Sequence, residues 1–116
     1  MASAEQIEAQ LQKLVERLGR ADPKVHAELA RTLGGPRMVQ MDVPDLRQSF
    51  WSELSDGTMQ PVQRGAAPRV DIRITADSDH LIAMIEGTKP LFSSYLAGHV
   101  KVQASVSDLL ALRKLM

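Results

Sequence analysis

Apolar residues recur every three or four positions near the start of the chain. Ile7, Leu11, Leu14, Val15 and Leu18 are interleaved with Glu8, Gln12, Lys13, Glu16 and Arg17. That spacing puts one apolar stripe on a helix and leaves its other side polar. Ser3, with Gln6 three residues on, forms the capping box expected at its start, and Gly19 marks its end. Asp22 as N-cap and Pro23 in the first helical position then open a second helix. Its stripe is Val25, Leu29, Ala30 and Leu33, and Gly34, Gly35 and Pro36 stop it.

From Arg37 the period falls to two. Val39, Met41 and Val43 alternate with Met38, Gln40 and Asp42 as in a half-buried strand, and Pro44 and Asp45 supply a turn. Leu46 to Ser55 predicts a second strand with Leu46, Phe50 and Leu54 on one face and Trp51 on the other. Asp56 and Gly57 are a hairpin signal. Met59 to Gln63 predicts an irregular third strand, which Pro61 confines to an edge. After a loop at Gly65 to Pro68, Val70, Ile72, Ile74 and Ala76 alternate with Asp71, Arg73 and Thr75, the clearest half-buried strand in the chain. Asp77, Ser78 and Asp79 then crowd the N-terminus of a helix carrying Leu81, Ile82, Met84 and Ile85 and ending at Gly87. Pro90 opens a shorter helical stretch with Leu91, Phe92, Tyr95 and Leu96, closed by Gly98. Val100, Val102 and Ala104 alternate with His99, Lys101 and Gln103 in a last strand, and Ser105 or Ser107 caps a Leu-rich closing helix. This order predicts an α+β fold: a single mixed, mostly antiparallel sheet of about five strands with helices packed on one face.

Length changes the picture little: 116 residues make one domain, 1–116, able to bury roughly two thirds of its unfolded surface. Charge narrows the partners. Fourteen basic and fourteen acidic side chains cancel, so no net field draws nucleic acid, and none is expected as a partner. Cysteine is absent, which excludes disulfides and thiol nucleophiles. No apolar run approaches the ~20 residues of a membrane span, and MASAEQIEAQ lacks a basic-then-apolar leader, so the expected location is the cytoplasm. The apolar fraction is 44%, yet it contains one Trp, one Tyr and two Phe against six Met. Such an interior is aliphatic and adaptable, because Met side chains are unbranched and flexible.

Candidate chemistry is sparse. His26, His80 and His99 lie on separate elements without a two-His helical spacing, so no metal is expected. Gly34 and Gly35 do not form a phosphate loop. Ser93 and Ser94 sit in a helical stretch with no strand-to-helix elbow, although His99 is near in sequence. An enzyme reading would have only Tyr95, His99 and Asp71 as acid or base groups. Asp71, Arg73 and Lys101 fall on outward strand positions and read as a solvated face. The closing helix says more. Leu109, Leu110, Leu112, Leu115 and Met116 exceed the roughly 100° stripe of a surface helix, with Arg113 and Lys114 the only basic breaks. One face should meet the sheet, and the rest needs another apolar partner: the helix at Leu81 to Ile85, a second subunit, or a ligand.

The stretch LFSSYLAGHVKV (Leu91 to Val102) and the helix after it resemble the sterol carrier protein 2-like lipid-binding domain. The likeness extends back to about Arg69, through the strand and cap Ile72, Arg73, Ile74, Thr75, Ala76, Asp77, Ser78 and the helix ended by Gly87. More loosely it takes in Trp51 and the Asp56, Gly57 turn. His99 and Ala104 stand where the family usually has a basic residue and a glycine, which leaves ligand class open. The resemblance implies a sheet of five strands with an apolar tunnel beneath the helices, holding a fatty acid, fatty acyl-CoA, sterol or other lipid. No catalytic residues and no cofactor come with it. The positions it points to as lipid-binding are Trp51, Ile72, Ile74, Leu81, Met84, Ile85, Leu91, Phe92, Tyr95, Leu96, Val100, Val102, Leu109, Leu112 and Met116. Expected partners are a lipid or fatty acyl ligand, a membrane touched transiently, and a second copy or an enzyme. The alternative is a dimerisation or accessory domain of the same fold with a filled core, assisting enzymes of isoprenoid-quinone or lipid metabolism.

Overall fold

Local rules account for how the first two helices begin, and pairing over long sequence distances accounts for how the elements assemble. The computed structural model describes residues 2–87 and 91–115, the side chains of residues 91, 92 and 112–115 excepted. Helix α1 (Ala4–Gly19) opens with the reciprocal cap: Ser3 Oγ accepts from the Gln6 amide at 3.2 Å, and Gln6 Oε1 accepts from the Ser3 amide at 2.8 Å. Its stripe buries Ile7, Leu11 and Val15. Helix α2 (Pro23–Leu33) starts at Asp22, whose carboxylate accepts from the Lys24 amide at 2.8 Å. It ends at Gly34, where a φ of 73° suits a residue without Cβ. Leu29 and Leu33 of its stripe are buried, whereas Val25 is left exposed. Two bonds tie the helices together from their ends. His26 Nε2 donates to the Leu18 carbonyl at 2.6 Å, joining α2 to α1, and Arg17 Nη1 donates to the Ile85 carbonyl at 3.3 Å, joining α1 to the third helix.

Strand β1 (Arg37–Val43) is followed by a 3-10 turn at Pro44–Leu46 and by β2 (Gln48–Ser55). The turn displaces Leu46 from the strand expected for it. Pro44 presets the turn, Arg47 takes a left-handed φ of 52°, and the ladder begins at Val43↔Gln48. Asp56 and Gly57, at φ 53° and 79°, make the two-residue hairpin loop their sequence signals. The irregular third strand is two short ones. β3 (Thr58–Met59) pairs with the end of β2, β4 (Gln63–Arg64) with its middle, and Pro61 interrupts them. Gln12 of α1 covers the break, its Oε1 accepting from the Val62 amide at 3.2 Å.

The remaining elements are β5 (Ile72–Thr75), α3 (Ser78–Ile85), α4 (Leu91–Leu96), β6 (Lys101–Gln103) and α5 (Val106–Leu115). Among the described residues the sheet order is β3-β2-β1-β5-β6, with β4 beside β2. Only β1 and β5 run parallel; the other pairs are antiparallel. Counting β3 and β4 as one broken edge strand recovers the expected five.

Every described helix that buries apolar surface does so on one face of this sheet. Ile7 and Leu11 of α1 and Leu81, Met84 and Ile85 of α3 pack with Met41, Val43, Phe50, Ala76 and Val100. Leu29 and Leu33 of α2 and Ala111 of α5 pack with Val39, Leu54 and Ile72. Ser52 also points inward, wholly buried, its hydroxyl donating to the Gln60 carbonyl at 2.6 Å.

Candidate functional site

The inner face of the sheet is aliphatic because alternate residues of four strands share it. Val39, Met41 and Val43 of β1 face inward with Phe50 and Leu54 of β2, Ile72 and Ile74 of β5, and Val102 of β6. Across the part nearest α1, Ile7, Val43 and Phe50 are 0% exposed. Packing there is complete. The layer is nevertheless two clusters, one under α1 and α3 and the other under α2 and α5. Ile74, half-buried, touches both.

The opposite face is polar. Asp42 accepts from Gln40 Nε2 at 2.8 Å and from Ser49 Oγ at 2.7 Å, and pairs with Arg73. Gln40 itself is 4% exposed, its Oε1 accepting from the Ala67 amide at 2.8 Å, so the loop before β5 folds over this side. Burial works against the charge of Asp42. The hydrogen bonds from Ser49 and Gln40 and the Arg73 guanidinium outweigh it and hold the carboxyl below the usual aspartate range. Arg73 and Asp71 are therefore bound rather than merely solvated, since Asp71 accepts from the Met38 amide at 2.8 Å.

Helix α3 is capped from another element. Asp77, its N-cap, makes no side-chain capping bond. Instead Asp45, in the 3-10 turn, accepts from the Ser78 amide at 3.0 Å and from Ser78 Oγ at 2.6 Å. Ser78 Oγ in turn accepts from the Ala2 amide at 3.2 Å. Burial opposes ionisation of Asp45, but the two Ser78 bonds prevail and lower its pKa. The sequence signal at Asp77 to Asp79 located the helix start correctly, but the cap bonds to Ser78 come from Asp45, 33 residues away.

The histidines also take partners that spacing did not show. His80 Nε2 lies 2.9 Å from Ser94 Oγ, and its ring stacks on that of His99 with centroids 5.1 Å apart. The hydroxyl of Ser94, a residue only 5% exposed, thus meets His80, while its carbonyl accepts from the His99 amide at 3.0 Å. Among the described residues no group of three or more His, Asp or Glu side chains is arranged to hold a metal ion.

Of the residues expected to line a lipid site, Ile72, Leu81, Met84, Ile85 and Val100 are buried on the inner face, and Ile74 and Val102 are half-buried there. Tyr95 and Leu109 are half-buried on α4 and α5. Leu96 is 75% exposed. The side chains of Leu91, Phe92 and Leu112, and all of Met116, lie outside the described residues. Trp51 is a correction. It pairs with Gln40 across β1 and with Gln63 across β4, on the polar outer face, so it does not line a space between sheet and helices. The signal was present in its alternation with Phe50. Two surface clefts occur elsewhere. One of about 460 Å³ runs between the end of α2 and the β2–β3 hairpin, along Leu33, Pro36, Glu53 and Asp56. The other, about 350 Å³, is walled by Asp45, Asp77, Asp79 and His80. Neither is walled by a residue expected to line the lipid site.

An open mixed sheet, polar outside and aliphatic beneath a single layer of helices, defines the class as an α+β module. The sequence matches the SCP-2 sterol transfer family over residues 11–116, and the chain belongs to that family. No curated protein matches the chain in sequence. Among solved structures, sterol carrier protein 2-like 2 of Aedes aegypti aligns with a TM-score of 0.66 at 13% identity, covering 95% of each chain. Its palmitated form aligns at 0.64 and 15%, over 98% of this chain and 94% of that one. The UbiJ-SCP2 ubiquinone synthesis protein aligns at 0.65 and 15%, over 97% of this chain and 89% of its own. The sec-alkylsulfatase Pisa1 of Pseudomonas sp. aligns at 0.59 and 18% over 78% of this chain, which spans only 13% of the sulfatase. By family the chain is a lipid-binding module, of a kind that is generally non-catalytic. No described helix is long and apolar enough to cross a membrane.

Proposed function

We propose that the chain carries a fatty acid, fatty acyl-CoA, sterol or similar apolar lipid between its sheet and its helices. The observation that carries this reading is the divided inner layer: two apolar clusters meet at half-buried Ile74 instead of closing into one. An acyl chain lying along that seam would contact Ile74 and its cross-strand neighbour Val102. Partition supplies the driving force. Each buried methylene is worth about 0.8 kcal/mol, so ~10 of them contribute about 8 kcal/mol before ordering and association costs. Micromolar affinity then needs no charged anchor. Exposed Leu96, Val106 and Leu110 on α4 and α5 would serve transient contact with a membrane surface while the lipid passes.

Native mass spectrometry of the purified protein, with organic extraction of whatever accompanies it, tests the proposal. A discrete adduct that is lost on extraction and identified as a lipid is the expected result. A bare protein mass, together with failure to take up a fluorescent fatty acid, would overturn it in favour of an accessory domain with a filled core, whose exposed leucines meet a protein partner.

A further inference from the structure

Asp108 Oδ1 is a buried carboxylate oxygen that accepts no hydrogen bond among the described residues. Asp108 lies in the first turn of α5, where its amide donates to Ser105 Oγ at 3.2 Å, and its side chain is 5% exposed. The companion oxygen, Oδ2, accepts from Arg37 Nε at 2.9 Å. Keeping a charged acceptor out of water and idle is costly, and a donor brought by a ligand would remove that cost.

Arg37 holds the carboxylate in place without being a free cation. Its Nη2 donates to the Leu33 carbonyl at 2.8 Å, and its Nη1 donates to the carbonyls of Pro36 at 3.0 Å and Gly35 at 3.3 Å. With Asp108 and three carbonyls around it, the guanidinium has its charge already answered. The pair therefore offers an incoming group an acceptor. An O–H suits it, whereas a carboxylate or phosphate meets like charge.

The acceptor stands at one end of the apolar layer. Arg37 alternates with Met38 and so shares the inner face of β1 with Val39, and it pairs with Leu54. Val39, Leu54, Leu33 and Ala111 form the cluster that meets its neighbour at Ile74. Ile74 pairs with Met41, four residues along β1 from Arg37 and hence about 13 Å away. A medium-length alkyl chain spans that distance, with its tail at the seam and its head at the carboxylate.

We propose that Asp108 Oδ1, positioned by Arg37, is the head-group acceptor of the bound lipid and selects lipids ending in an uncharged hydroxyl over fatty acids and acyl-CoA. The assignment rests on the carrier function proposed above and names the lipid class of that site. A fatty acid still partitions by its chain, but its head gains nothing.

Three probes with one chain separate head from tail: pyrene-tagged decanol, its methyl ether and pyrene-tagged decanoic acid, each titrated by fluorescence into the native protein at neutral pH. The alcohol should bind about tenfold or more tighter than the ether, which cannot donate, and than the acid, as expected for one hydrogen bond to a buried charge. In Asp108→Asn the amide oxygen keeps the Arg37 bond and the NH2 group replaces Oδ1, a donor where an acceptor stood. The ether should then bind as well as the alcohol, and the acid should gain about tenfold. Urea unfolding checks that the variant is folded, and the comparison of probes in the native protein needs no variant. Equal affinities of alcohol and ether in the native protein overturn the head-group site, Oδ1 then being served by ordered water, and leave the carrier function standing. An alcohol preference that persists in folded Asp108→Asn overturns the assignment to Asp108. If none of the three probes binds, the carrier function falls and the head-group site with it.

Discussion

Gly57→Ala isolates how closely the hairpin and α2 approach one another. Gly57 has φ 79°, and a Cβ built on it would lie 2.1 Å from the His26 carbonyl oxygen and 2.5 Å from the His26 Cα. Both atoms are helix backbone, so no side chain can rotate away. Two costs add. The left-handed conformation costs a residue with Cβ about 1–2 kcal/mol. Displacing α2 strains the contacts of Leu29 and Leu33, and overpacking of that kind costs about 1–3 kcal/mol. Gly87→Ala is the control, because its φ of 84° is similar and nothing lies within 4 Å of its built Cβ. At about 4 °C per kcal/mol for a domain of this size, Gly57→Ala should lower Tm by roughly 8–20 °C and Gly87→Ala by roughly 4–8 °C. Urea unfolding of both variants beside the native protein measures the difference in free energy directly. Equal losses in the two variants would refute the steric contribution and show that α2 yields freely at His26.

Asp45→Ala removes both bonds that cap α3 and should cost about 1–2 kcal/mol by urea unfolding, with amide exchange rising first at Ser78 to Leu81. Asp42 and Asp45 are both held below the usual aspartate pKa in the folded state. Their contribution is thus complete above the unfolded pKa and lost as pH falls through the lower folded values. Stability should decline on acidification in that range, and Asp42→Asn should flatten the decline measured by unfolding at a series of pH values. For the carrier function, Ile74→Trp should fill the seam between the two apolar clusters and abolish uptake of a fluorescent fatty acid by a protein that still unfolds cooperatively. Trp51→Ala, on the outer face, should leave that uptake unchanged.

Spacing along the chain was enough to determine the elements and most of their faces. The cap at Ser3 and Gln6, the stops at Gly34 and Gly87, the alternation of Val39, Met41 and Val43, and the Asp56, Gly57 turn depend on neighbours within a few residues, so the sequence states them directly. The outward position of Trp51 was legible in the same way, by its alternation with Phe50. Family resemblance in the segment from Arg69 onward identified the class, which spacing alone left open.

Tertiary structure decided the rest. That β5 lies beside β1, parallel to it, follows from a ladder joining residues more than thirty positions apart, such as Val39↔Ile72. Asp45 caps α3, Ser94 meets His80, and Arg37 meets Asp108 because the fold brings them together across 33, 14 and 71 residues. Polar side chains of this kind carry no periodicity. Their partners are selected only once apolar burial has set the distances, which is why the faces of this protein were readable from its sequence and these long-range bonds were not.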